Sequence, residues 1–138
     1  MKLITRDTDY AVRALDYIAR KAKRRVTVSE LVKELGIPRP FLRKILQILN
    51  KEGILNSYKG RHGGFMLVRP ADKIFLIDVM KVFQGPFTFN ECFFKKRVCS
   101  QVGACILKSK IDDIERRVTS DLKAIDLASL SRGLTWQK

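Results

Sequence analysis

Cys92, Cys99 and Cys105 are the only cysteines in this 138-residue chain, and they fall within fourteen residues of one another. Lys95, Lys96 and Arg97 stand between the first two. Neighbouring cations favour the thiolate over the thiol, and the thiolate is the form that ligates iron or zinc and enters redox chemistry. The spacing C-x6-C-x5-C matches neither a CxxC zinc knuckle nor a closely spaced ferredoxin run. On spacing alone, three roles stay open: metal ligation, a reversible disulfide, or three buried structural cysteines. The stretch from Phe87 to Ala104 has no core period, which disfavours the last.

The second chemical signature is charge. The chain carries 28 Lys and Arg against 14 Asp and Glu, a net of +14. Residues 1–69 hold 16 basic and 6 acidic side chains, while residues 70–138 hold 12 and 8. The anion-seeking surface is therefore N-terminal. Nucleic acid is the natural partner, because each cation that neutralises a phosphate releases condensed counterions. A merely soluble basic surface and an anionic membrane are the other readings of the same charge. His62 is the only histidine, and no nucleophile–base grouping accompanies it, so the expectation is a non-enzyme. No run reaches the ~20 apolar residues of a spanning helix, and the start, MKLITRDTDYAVRAL, is too charged for a signal peptide. A cytoplasmic protein with no membrane partner is expected, and reducing conditions there do not maintain structural disulfides.

These groups need elements to hold them. Ala11, Ala14, Leu15, Ile18 and Ala22 follow helical spacing, with Asp7 or Thr8 placed to cap a first helix. Thr27 and Glu30 have capping-box spacing, and Leu31, Val32 and Leu35 give a short second helix that ends at Gly36. Pro40 suits a helix start, and Phe41, Leu42, Ile45, Leu46, Ile48 and Leu49 mark a third helix that stops near Gly53. Two short helices across a Gly-containing turn read as helix-turn-helix. The following ILNSYKGRHGGFMLVRP reads as a β-hairpin, hence a wing. A helix from Ile74 to Phe83 ends at Gly85 and Pro86. Beyond Cys105, Leu107, Ile111, Ile114, Val118, Leu122 and Ile125 approach a heptad seam. Such a seam either pairs with a second copy or packs on its own domain, and a homodimer is the favoured reading.

The predicted fold is mainly α with a small β-hairpin. A winged helix-turn-helix over 1–86 precedes a cysteine-bearing loop over 87–105, with a long dimerisation helix and tail over 106–138. The third helix offers Arg39, Pro40, Arg43, Lys44 and Gln47 near its start, with Ser29 on the helix before it. Arginine reads guanine bidentately in the major groove, and the N-terminal residues of a recognition helix reach base edges. Taken one at a time these are as well explained as solvated charges; together, with the basic half and the wing, they favour double-stranded DNA. Lys59, Arg61 and His62 on the wing suit the backbone or a narrow minor groove. An exposed lone histidine is more often a phosphate contact or bystander than a metal ligand.

The segments TDYAVRAL, LVKELGIPRPFLRKILQIL, KGRHGGFMLVRP and IDVMKVFQGP, followed by the three-cysteine loop, together resemble the winged-helix iron-sulfur regulators of the IscR/NsrR (Rrf-type) family over nearly the whole chain. That resemblance implies a homodimeric bacterial transcription regulator that binds a pseudo-palindromic operator and holds a 2Fe-2S or 4Fe-4S cluster through Cys92, Cys99 and Cys105. IscR-like members place a histidine three residues after the last cysteine, where this chain has Lys108. In NsrR-like members an acidic residue of the N-terminal TD motif completes the cluster from the other subunit. Asp9 is the matching residue, Asp7 and Glu91 are the other acidic candidates, and TDYAVRAL and SDLKAIDLASL lean towards that branch. An acid in a first helical turn is also favoured by the helix dipole with or without iron. The alternatives are a cluster-free thiol or zinc switch on the same DNA-binding unit, and a winged helix that binds protein while the cysteines deliver metal or electrons.

Overall fold

The computed structural model describes residues 2–21, 23–88 and 106–133. Helices α1 (Arg6–Arg20), α2 (Val28–Leu35) and α3 (Arg39–Lys51) lead into strands β1 (Leu55–Tyr58) and β2 (Gly64–Leu67). A 3₁₀ turn (Ala71–Lys73) precedes α4 (Leu76–Gln84), and α5 (Ile106–Lys123) and α6 (Leu127–Gly133) complete the order. The architecture is a winged helix: three helices, an antiparallel hairpin and a helical C-terminal part.

Local signals account for most boundaries. Thr27 Oγ accepts the Glu30 backbone N–H at 3.1 Å, and the Gly36 N–H closes α2 on the Val32 carbonyl at 3.0 Å. The α1 cap differs from the one expected at Asp7 or Thr8. Thr5 is the cap, its Oγ accepting the Thr8 N–H at 3.3 Å, while Thr8 is buried one turn in. Apolar periodicity begins only at Ala11, which drew the expected start too late; Asp7 and Asp9 instead occupy the first turn, where the helix dipole favours acids. Similarly, α4 begins at Leu76 rather than Ile74. Ile74 is an extended residue whose carbonyl accepts the Leu127 N–H at 2.8 Å.

One core joins all of this. Ala11, Leu15 and Ile18 of α1 pack with Leu31 of α2, Leu42, Ile45, Leu46 and Leu49 of α3, Leu55 of β1 and Val79 and Met80 of α4. Leu122 and Leu127 belong to the same cluster. The predicted seam is thus divided. Its far end docks on its own domain, and Ile125 lies beyond the end of α5, its carbonyl accepting the Leu76 N–H at 2.9 Å. An antiparallel bridge between Phe75 and Asp126 fixes the reversal that turns α6 back onto α1. At the near end, Ile106, Leu107 and Ile114 are exposed.

Asp16 of α1 is only 1% exposed. Arg20 Nε donates to it at 3.1 Å, and the Ser131 hydroxyl of α6 donates to its other oxygen. A buried carboxylate requires such partners, so the bond also specifies where α6 sits.

Candidate nucleic-acid interface

Helix α3 separates its two faces cleanly. Leu42, Ile45, Leu46 and Leu49 are buried, while Arg39, Pro40, Arg43, Lys44 and Gln47 are all exposed. Positions 39, 43 and 47, and positions 40, 44 and 47, step by three or four, so they form one continuous stripe. No acidic residue occupies the first turn, and Pro38 at the cap supplies no side-chain hydrogen bond. The positive end of the helix dipole is therefore not quenched by an acid in its own first turn, a setting that suits an approaching phosphate. Arg39 donates to Ser29 Oγ at 3.1 Å across the turn from α2. That bond brings together two of the residues expected at the interface and leaves other guanidinium donors available.

The hairpin pairs Leu55 with Leu67, Asn56 with Met66, Ser57 with Phe65 and Tyr58 with Gly64. Lys59, Arg61 and His62 lie in the connection between the strands and are exposed. The chain before α2 joins this sheet. The Val26 N–H donates to the Phe65 carbonyl at 3.0 Å, and the Phe65 N–H donates back at 2.8 Å. Backbone spacing across that bridge is tight enough that a Cβ on Gly64 would sit 2.8 Å from the Val26 carbonyl oxygen.

The basic segment before α2 also takes part, for Arg25 and Val26 are built against the wing. The Arg25 guanidinium lies over the Tyr58 ring at 3.8 Å from its centre and donates to the His62 carbonyl at 3.0 Å. Arg24 turns instead to Glu30, donating to both carboxylate oxygens, one of them at 2.9 Å. Tyr17 of α1 donates to Glu30 at 2.7 Å. With Arg24 foremost, these bonds hold the Glu30 carboxyl down to about 2, while burial and Glu30 together raise the Tyr17 hydroxyl. The three side chains tie α1, the α1–α2 loop and α2 together. A further cation, Arg6 of α1, lies over the ring of Phe41 on α3 at 5.2 Å. The usable signal for the Arg25 placement was the β-branched Val26, flanked by polar residues and matched by the paired glycines of the wing.

Cys92, Cys99, Cys105 and Glu91 lie outside the described residues. Among the described residues no group of three or more His, Cys, Asp and Glu side chains could hold a metal. The Asp9 side chain is 38% exposed and pairs with Arg13 at 3.0 Å on its own helix. Lys108, in the place where the IscR-like pattern has histidine, pairs with Asp112 at 2.6 Å. No described helix is long and apolar enough to cross a membrane.

Residues 4–133 match the family model Rrf2, described as an iron-dependent transcriptional regulator. The chain belongs to the Rrf2 family. As an Rrf2 protein it is a DNA-binding transcriptional regulator, in keeping with the exposed basic stripe of α3. An HTH-type transcriptional regulator of Aquifex aeolicus (strain VF5) is 33% identical over 123 residues, 88% of this chain and 85% of the relative. Protein aau3 of Rhizobium meliloti (strain 1021) is 38% identical over 109 residues, 78% and 71% of the two chains. Among solved structures, CymR (YrzC), the global cysteine regulator of B. subtilis, superposes with a TM-score of 0.80 at 19% identity, covering 98% of this chain and all of that one. IscR of T. potens does so with a TM-score of 0.74 at 20% identity, covering 99% and 94%. At these identities the two structures establish the winged-helix fold of this Rrf2 chain. The family and the Aquifex relative are regulators, and the non-enzyme reading rests on them.

Proposed function

We propose that this Rrf2 protein is a cytoplasmic homodimer whose grip on a pseudo-palindromic operator is set by an iron-sulfur cluster on Cys92, Cys99 and Cys105. The observation that carries the DNA half is the α3 stripe of Arg39, Arg43, Lys44 and Gln47, exposed and free of acidic neighbours in its first turn. These side chains enter the major groove, with Ser29 and Pro40 at its edge, while Lys59, Arg61 and His62 meet the flanking backbone or minor groove. The iron half is supported by the family description and by the donor chemistry: three soft thiolates retain iron, and a hard carboxylate makes the weakest-held fourth donor. Bound there, the cluster supplies a centre that redox change or nitric oxide can alter.

Asp9 fits the role of fourth donor from the partner subunit. Its pair with Arg13 is a single i,i+4 contact on its own helix between half-buried side chains, a class worth about 0.3–0.5 kcal/mol on a helix surface, which a metal–carboxylate bond can replace. The exposed Ile106, Leu107 and Ile114 supply an apolar surface for the two-fold contact. Because Asp9 lies on α1, whose core face packs against α3, its engagement or release would act on the spacing of the two recognition helices.

The test is anaerobic purification followed by visible absorption, iron and sulfide content, and binding to duplexes selected from a random-sequence pool with and without the cluster. Iron and sulfide with cluster-dependent binding is expected. A colourless protein with stoichiometric zinc overturns the cluster, and failure to select any duplex overturns the DNA reading for this stripe. A second reading keeps the DNA contacts and makes the thiols a reversible disulfide or zinc switch. Lys108 in the histidine position favours it, as does the shared fold with CymR, a cysteine regulator.

A further inference from the structure

The groove between the α1–α2 loop and the hairpin connection is lined by Lys23, Arg24, Arg25, Thr27, Arg61 and His62, with Gly63 and Met66 completing the wall and no acidic side chain on it among the described residues. Its cations are not equivalent. Arg24 is engaged bidentately by Glu30, which cancels its charge locally. Lys23, Arg25 and Arg61 form no ion pair among the described residues. The two partners of Arg25, an aromatic ring and a backbone carbonyl, are both neutral. Its guanidinium is thus held in one place while keeping its full charge. Arginine offers five donors in a rigid fork, and only one is used by His62. Holding a long side chain in advance removes much of the ordering cost that a solvated surface arginine meets on binding. The backbone beneath it is fixed as well, since Val26 exchanges both hydrogen bonds with Phe65.

We propose that Lys23, Arg25 and Arg61 form a sequence-independent seat for a DNA backbone phosphate, with Arg25 as its anchor. This rests on the DNA-binding reading and extends it to the α1–α2 loop. Arg61 and His62 already stand at the duplex in that reading, so a strand seated in the groove is continuous with the wing contact. A duplex phosphate fits the groove better than an acidic peptide because the three uncancelled cations share one open concavity in which Met66 is the single apolar side chain among the described lining residues. Base edges are not read here, and affinity gained in the groove is equal for all sequences.

Full-length wild type, Arg25→Gln and Arg25→Lys are compared by fluorescence anisotropy on a mixed-sequence duplex and on a duplex selected from a random pool, across a salt series. Each neutralised phosphate steepens the fall of log K with log[salt] by ~0.9. Arg25→Gln is expected to lower the slope by that amount per protomer engaged on both duplexes, and Arg25→Lys to restore it. Between 50 and 200 mM salt, wild type should then lose roughly 3.5-fold more affinity per seated phosphate than Arg25→Gln. Lys23→Gln, on an exposed loop side chain, repeats the test if Arg25→Gln disturbs folding. Unchanged slopes for both variants overturn the seat while leaving the recognition helix in place. A loss confined to the selected duplex overturns it in favour of base reading. Absence of wild-type binding to either duplex overturns both this inference and the function it rests on.

Discussion

Gly64 is where the wing's attachment to the rest of the protein can be cut with one methyl group. Its φ is +141°, a conformation that side chains rarely adopt, and an added Cβ would meet the Val26 carbonyl oxygen at 2.8 Å and carbon at 3.0 Å. Backbone strain at such a residue costs about 1–3 kcal/mol. Relieving the overlap means parting Val26 from Phe65, which loses two hydrogen bonds worth about 1 kcal/mol each. Gly64→Ala should therefore destabilise the fold by about 3–5 kcal/mol, or roughly 10–20 °C in Tm for a chain of this size. Gly36 is the internal control. Its φ is +66° with nothing within 4 Å of an added Cβ, so Gly36→Ala carries only the left-handed backbone cost of about 1–2 kcal/mol. Thermal unfolding followed by circular dichroism of both variants isolates the contribution of close approach. Equal losses at the two positions would refute the argument that the Arg25–Val26 segment is part of the wing sheet.

Other consequences are as direct. Glu30 is held at about 2 against an ordinary 4.5; because the folded value is the lower one, its stabilisation is present above about pH 4.5 and disappears as pH falls towards about 2. The Tm difference between wild type and Glu30→Gln should shrink across that interval, and parallel Tm curves would refute it. Arg43→Ala should cost ~1–3 kcal/mol at one operator base pair if the side chain reads a base; quantitative binding to a set of operator variants decides, and uniform weakening makes it a backbone contact. Ile114→Asp, on the exposed half of the α5 seam, should convert the homodimer proposed above to folded monomer in analytical ultracentrifugation; a dimer that persists places the two-fold contact elsewhere, and a wild type that is already monomeric refutes the pairing. Asp9→Ala should shorten the lifetime of the proposed cluster or shift its spectrum, and an unchanged spectrum and lifetime reject the carboxylate as a donor.

The winged helix was legible because its signals are local. A capping threonine three residues before Glu30, a glycine after α2, a proline at the start of α3 and a glycine-rich reversal each act within a few residues. The exposed basic stripe of α3 was legible for the same reason, since buried and exposed positions alternate with a helical period. What escaped notice depends on residues far apart in the chain. Thr5 caps α1 in company with Gln84, which accepts the Thr5 N–H at 3.1 Å and the Thr8 hydroxyl at 2.8 Å from 79 and 76 residues away. Val26 pairs across to Phe65, and Arg25 finds Tyr58; a run of basic residues reveals nothing about which of them meets Glu30 and which meets a ring. The heptad pattern was real over α5, but periodicity reports an apolar face and not its partner. The Phe75–Asp126 bridge supplied that partner at one end.

The bond between Asp16 and Ser131 has a consequence for how the protein is made. The two residues are 115 positions apart, and at ~5–20 residues per second the ribosome needs roughly 6–23 s to produce the second after the first. For that interval α1 exists without the helix that covers it, with its carboxylate lacking a permanent partner across the interface. The recognition unit is therefore not finished in the order in which it is written. The exposed apolar residues of α5, Ile106, Leu107 and Ile114, are made before α6, so in a newborn chain they emerge ahead of the contact that completes the cover of α1.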